Sequence, residues 1–114
     1  GTAQGIGTAL YEEMPFDTEG QPLASTLSDY LLPGPTEVPH IRVEHMETPS
    51  PYTRFGVKGI GEGGAIPPPA AITNAINDAL KELGAELAQS PVTPRRIVEA
   101  VTQARDGTSR EAAS

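Results

Sequence analysis

Apolar residues recur at three- and four-residue spacing in three stretches of the chain. Ile6, Ala9, Leu10 and Met14 fall on one face if residues 1–14 are helical, and Pro15 ends that run. Ile72, Ile76, Ala79, Leu80 and Leu83 form a second stripe over 68–83, with Asn74, Asn77, Asp78, Lys81 and Glu82 on the wet side. Ile97, Val98, Val101 and Ala104 form a third over 94–105. It opens on Thr93-Pro94, a capping residue followed by proline at the first helical position, and closes at Asp106-Gly107. Between the first two stripes the period changes. Ile41, Val43 and His45 alternate with Arg42, Glu44 and Met46, which predicts a strand over 41–47. Asp17-Thr18-Glu19-Gly20, Pro33-Gly34-Pro35 and Pro39 mark turns and loops. The pattern predicts an α+β fold, with three helices packed on a small sheet that includes 41–47. Residues 1–105 form the structured part and 106–114 a polar tail without fixed structure.

Composition narrows the function classes. The 114 residues suffice for one domain, and with no Trp, three Tyr and two Phe the core volume must come from aliphatic side chains. A net charge of −7 excludes a protein built to neutralise nucleic-acid phosphates and disfavours an anionic membrane surface. The absence of Cys removes disulfides and thiolate metal sites. No apolar run approaches the ~20 residues that span a bilayer. The chain opens as if inside a helix, so a piece of a larger protein is expected.

The residues with candidate chemistry lie in Gly56-Val57-Lys58-Gly59-Ile60-Gly61-Glu62-Gly63-Gly64-Ala65-Ile66-Pro67-Pro68-Pro69. Glycines surround one carboxylate, and the prolines that follow fit the first turn of a helix. Gly59, Gly61 and Gly64 match G-x-G-x-x-G. A carboxylate in the middle would repel a pyrophosphate, and prolines at the helix start lack the N–H groups that cradle one, so this is not a dinucleotide site. Glu62 suits a general base if it is desolvated; the plainer alternative is a solvated loop carboxylate. Gln4 precedes the glycines at 5 and 7, which are costly in a helix unless something approaches the backbone closely. Gln4 is either a solvated residue or a donor at a helix N-terminus. His40 and His45 point to opposite faces of the predicted strand and make no metal pair. Pro33-Gly34-Pro35 reads as a rigid loop in preference to a polyproline ligand.

The run from Gly56 to Leu80 resembles the C-terminal segment of the molybdenum-binding large subunits of the xanthine oxidase family, a group that includes aldehyde oxidoreductases and aerobic carbon monoxide dehydrogenases. Its wording is most similar to carbon-monoxide-dehydrogenase-like large subunits. Gln4-Gly5-Ile6-Gly7-Thr8-Ala9-Leu10-Tyr11-Glu12-Glu13, Tyr30-Leu31-Leu32-Pro33, the stretch from Ile41 and Ser90-Pro91-Val92-Thr93-Pro94 resemble further motifs of the same subunits, in order. The resemblance implies that Glu62 is the catalytic base of a molybdenum hydroxylase that takes oxygen from water. It implies that Gln4, and less directly the Gly5 backbone, contact a molybdopterin-type cofactor, and that no residue here ligates the metal. The implied substrate is a small molecule such as carbon monoxide, an aldehyde or a purine. The implied partners are the rest of the large subunit and iron–sulfur and flavin subunits or domains, in the cytoplasm. On its own the chain is expected to be inactive, to hold no metal and to self-associate through apolar helix faces that lack partners. The alternative is a non-catalytic structural or interaction domain that retains the glycine-rich loop.

Overall fold

The computed structural model describes residues 1–111. Three α-helices carry it: α1 (Thr2–Leu10), α2 (Pro67–Leu80) and α3 (Pro94–Glu111). A 3₁₀ turn over Lys81–Leu83 extends α2, and Gly84 stops it in the left-handed conformation at φ 66°. The predicted prolines do open α2, at Pro67 rather than Pro68.

Among the described residues there is no sheet. The one backbone bridge pairs Phe16 with Pro22 around the predicted turn, where Asp17 Oδ1 accepts the N–H groups of Glu19 and Gln21 at 2.9 and 2.8 Å. Residues 41–47 lie outside any helix or strand. Alternation gives a segment two faces; it becomes a strand only where a neighbour supplies ladder hydrogen bonds, and this chain places none beside it.

Two helix ends also differ from the pattern. α1 stops at Leu10 rather than Met14, because the N–H groups of Tyr11 and Glu12 both turn to the Gly7 carbonyl at 2.9 Å. The unwound turn frees two carboxylates for distant partners. Glu12 accepts from Tyr30 Oη at 2.5 Å, and Glu13 accepts from Arg96 Nη2 at 2.6 Å. At the other end α3 runs through Asp106-Gly107 to Glu111. One glycine costs a helix only ~1 kcal/mol, and ending it there would need a reversal that the sequence does not supply. The predicted polar tail therefore begins inside α3, and residues 112–114 lie outside the described part.

The core is small and sits where the three helices meet. Leu80, Ala85, Leu87 and Val92 are buried together, and Leu10, Ile72, Ile76, Ile97, Val101 and Ala104 pack against them. Val92 is fully buried and its N–H donates to the Ala9 carbonyl at 2.7 Å, which joins the loop before α3 to the end of α1. Asn77, on α2, grips the same loop: its Nδ2 donates to the Leu87 carbonyl and its Oδ1 accepts the Leu87 N–H, both at 2.9 Å.

Residues 15–60 behave differently. Ala24 is the only buried residue there, while Met46, Tyr52, Phe55 and Ile60 are 85–94% exposed. The radius of gyration is 19.3 Å, against about 13 Å for a compact chain of this length. The accessible surface is 9080 Å², against roughly 5,900 Å² for a folded monomer of this mass. Among the described residues no helix is long and apolar enough to cross a membrane.

Candidate active site

The loop carrying Glu62 is shaped by its own backbone. The Gly63 N–H reaches the Ile60 carbonyl at 3.3 Å, and the N–H groups of Ala65 and Ile66 both reach the Glu62 carbonyl, at 2.9 and 3.0 Å. Gly61 holds φ at +58°, which lets the chain turn immediately before Glu62. The peptide of Glu62 is thus tied to the residues entering α2, while its carboxylate projects into the open. Glu62 is exposed, and its carboxylate makes no hydrogen bond or ion pair among the described residues. Lys58, four residues earlier, is engaged elsewhere: its Nζ donates to Thr48 Oγ1 at 2.5 Å.

The start of α1 lies against this loop. A Cβ built on Gly64 would stand 3.1 Å from Gly1 Cα and 3.2 Å from the Thr2 nitrogen, so the two backbones touch directly. One turn further along α1, a Cβ on Gly5 would stand 2.7 and 2.8 Å from the Pro68 ring and 2.9 Å from the Ala65 carbonyl oxygen. The α1 glycine at position 5 therefore faces the chain itself, and it is buried there. Gln4, its neighbour, is exposed. The first helical hydrogen bond is Gly5 N–H to Gly1 carbonyl at 2.9 Å, so the N–H groups of Thr2, Ala3 and Gln4 have no acceptor within the helix. Three backbone donors and one carboxamide are gathered at the α1 N-terminus, beside the loop that presents Glu62.

This donor set suits a polar or anionic acceptor group. It does not suit a bare metal ion: no group of three His, Cys, Asp or Glu among the described residues could hold one, and His40 and His45 are both exposed. Next to the loop, an open and largely apolar cavity of about 580 Å³ is lined by residues of α1 and α2, with Ile6, Ile41, Gly63, Gly64, Pro68 and Ile72 on its walls.

Three of the candidate residues, Gln4, Gly5 and Glu62, are thus gathered on or beside one joint between α1 and the loop. The pattern of the sequence did not pair Gly1 with Gly64 or Gly5 with Pro68. Glycine next to a helix start signals a close approach, but only the folded backbone reveals what approaches.

A profile of the molybdopterin cofactor-binding domain matches residues 1–39. The nicotine 6-hydroxylase large subunit of Paenarthrobacter nicotinovorans is 43% identical over 100 residues, which are 88% of this chain and 12% of that protein. The carbon monoxide dehydrogenase large chain of Hydrogenophaga pseudoflava is 38% identical over 100 residues, covering 85% of this chain and 12% of its own length. Among solved structures, quinoline 2-oxidoreductase from Pseudomonas putida 86 superimposes with a TM-score of 0.83 at 46% identity, over 89% of this chain and 13% of that one. The chain therefore spans about one eighth of the length of the proteins it matches.

Proposed function

Because this chain belongs to the molybdenum-binding large subunits of the xanthine oxidase family, we propose that it supplies the catalytic base, Glu62, and a cofactor contact, Gln4, to a molybdenum hydroxylase. One observation carries the reading: the loop that presents the Glu62 carboxylate and the start of α1, both without partners for these groups among the described residues, are in direct backbone contact at Gly64 and Gly1.

A molybdopterin-type molybdenum cofactor, when bound, supplies the two-electron redox chemistry for inserting a water-derived oxygen into a substrate C–H or C=O carbon. The residues of this chain do the rest of the work assigned to them here. The Gln4 carboxamide and the first-turn N–H groups of α1 bind and orient the cofactor's polar edge. The Glu62 carboxylate accepts the proton that water gives up. Its peptide is anchored through Ala65 and Ile66, so the carboxylate starts from a fixed root, which lowers the cost of orienting it. Water is excluded by the remainder of the subunit, which also covers the exposed apolar residues of 15–60. The same reading brings iron–sulfur and flavin partners as electron carriers, a small-molecule substrate and a cytoplasmic location.

The test uses the complete enzyme with its partner subunits, as wild type and as Glu62→Gln. Bound molybdenum and turnover are measured on the same preparations. Molybdenum stays and turnover drops by about two to four powers of ten if Glu62 is the base. Surviving turnover refutes the assignment. Loss of molybdenum together with turnover makes Glu62 a structural residue.

A further inference from the structure

Gly64 and Gly5 do more than tolerate crowding. We infer that they are positioning residues: together they key the Glu62 loop onto the first turns of α1 and so set where the Glu62 carboxylate stands relative to Gln4. This deepens the proposed function and rests on it.

The argument is geometric. Gly1 and Gly5 lie four residues apart, hence on one face of α1. Gly64 and Pro68 lie four residues apart on the segment that leaves the loop and enters α2. Gly1 meets Gly64, and Gly5 meets Pro68 and the Ala65 carbonyl. The two contacts form a two-point key between one helix face and one loop-to-helix junction. At Gly64 the opposing atoms are Gly1 Cα and the Thr2 nitrogen, both backbone, so no rotamer change can make room. At Gly5 two of the opposing atoms belong to a rigid pyrrolidine ring and the third is a carbonyl oxygen. An added methyl at Gly5 must move the junction away from α1, and one at Gly64 makes the facing backbone give by a few tenths of an ångström.

That movement reaches Glu62. The N–H groups of Ala65 and Ile66 hold its carbonyl, so residues 62–66 shift as one unit. Gln4 is carried on α1, on the other side of the key. A displacement at the key therefore changes the separation of the two groups without altering either side chain. Misplacing a reacting group by about 1 Å costs on the order of 100-fold in rate.

The experiment compares Gly64→Ala, Gly5→Ala and Glu62→Gln in the complete enzyme with its partner subunits. Gly107→Ala serves as a control, because Gly107 is exposed on α3 and a Cβ there meets nothing. Molybdenum content, kcat, KM and amide hydrogen exchange of the peptide containing residues 62–66 are read on each. In both glycine variants we expect molybdenum to stay, KM to change little and exchange at Ala65 and Ile66 to accelerate, with kcat falling by about 10- to 100-fold in Gly5→Ala and by about 3- to 10-fold in Gly64→Ala, where the crowding is milder. Adding Pro68→Gly to Gly5→Ala removes both ring atoms that the new methyl meets, and should return part of the lost kcat. The inference is overturned if Gly64→Ala and Gly5→Ala keep wild-type kcat and exchange. It is also overturned if they lose molybdenum in step with activity, since the glycines then merely maintain the fold or the cofactor pocket. If Glu62→Gln retains turnover, the base assignment itself has failed, and that result is distinct from either of the others.

Discussion

Residues 61–107 and residues 15–60 are nearly equal lengths of the same chain, yet they are held in different ways. The first contains α2, most of α3 and the cluster of Leu80, Ala85, Leu87 and Val92, tied by side-chain hydrogen bonds from Asn77 and Arg96. The second has one buried alanine and several large apolar side chains in the open, and holds its shape through short-range bonds such as Thr53 Oγ1 to the Val57 carbonyl at 2.7 Å and Ser50 N–H to the Gly56 carbonyl at 3.0 Å. Local bonds fix the bends of a chain but do not fix where the chain goes. The helical part is organised around a packed cluster, whereas residues 15–60 rest on short-range bonds.

The contrast can be broken by measurement. Leu87→Ala should destabilise the chain by about 2–5 kcal/mol in urea unfolding, because it opens a cavity in the buried cluster, while Met46→Ala and Tyr52→Ala should change it by less than ~0.5 kcal/mol. Equal effects in the two regions would erase the distinction. Asn77→Ala should follow at roughly 1–3 kcal/mol, since it strands both backbone groups of Leu87. The exposed apolar side chains should make the separate chain associate as its concentration rises, and strictly monomeric sedimentation would show that they are tolerated in water. The Glu13–Arg96 pair is half-buried, so a double-mutant cycle should give about 1 kcal/mol, weakening with salt.

The smallest effect concerns Tyr30, which reaches from the extended region back to α1. Its phenol titrates above the usual 10.0, first because it donates to the Glu12 carboxylate, then because of desolvation and the Glu12 charge. A pKa raised in the folded state favours the fold below the unfolded value and ceases to as pH climbs through the folded one. The Tyr30–Glu12 link therefore holds at neutral pH and releases above about pH 10. Spectroscopic titration of the tyrosines should show one late-ionising group that Glu12→Gln returns to normal.

Much of the helical part was legible in the residues alone. The prolines at 67–69 and the Ile72, Ile76 and Leu80 stripe located α2, and Thr93-Pro94 located the start of α3, because caps and periodicity act over a single turn. The end of α1 was not legible. Residues 11–14 have helical character, and the Gly7 turn that ends the helix, with the distant Tyr30 and Arg96 that take up Glu12 and Glu13, is visible only in the fold. The 41–47 segment misled for a related reason: alternation encodes two faces, and pairing needs a partner that this stretch of chain does not contain. At the site, Glu62 stood out because it is the lone carboxylate among glycines. The mate of each glycine is a matter of three-dimensional adjacency, and it could be read only from the fold.

Asn77 has a consequence for how this chain ages and varies. Its carboxamide carries the same donor and acceptor as a peptide group and spends both on one residue, Leu87. Hydrolysis of that amide to a carboxylate would keep the shape and replace the donor with a second acceptor aimed at the Leu87 carbonyl. Direct hydrolysis of the amide and a one-letter coding change to Asp thus introduce the same fault. A residue that touches no substrate becomes a point at which chemical lifetime and permitted sequence are limited by a single N–H bond.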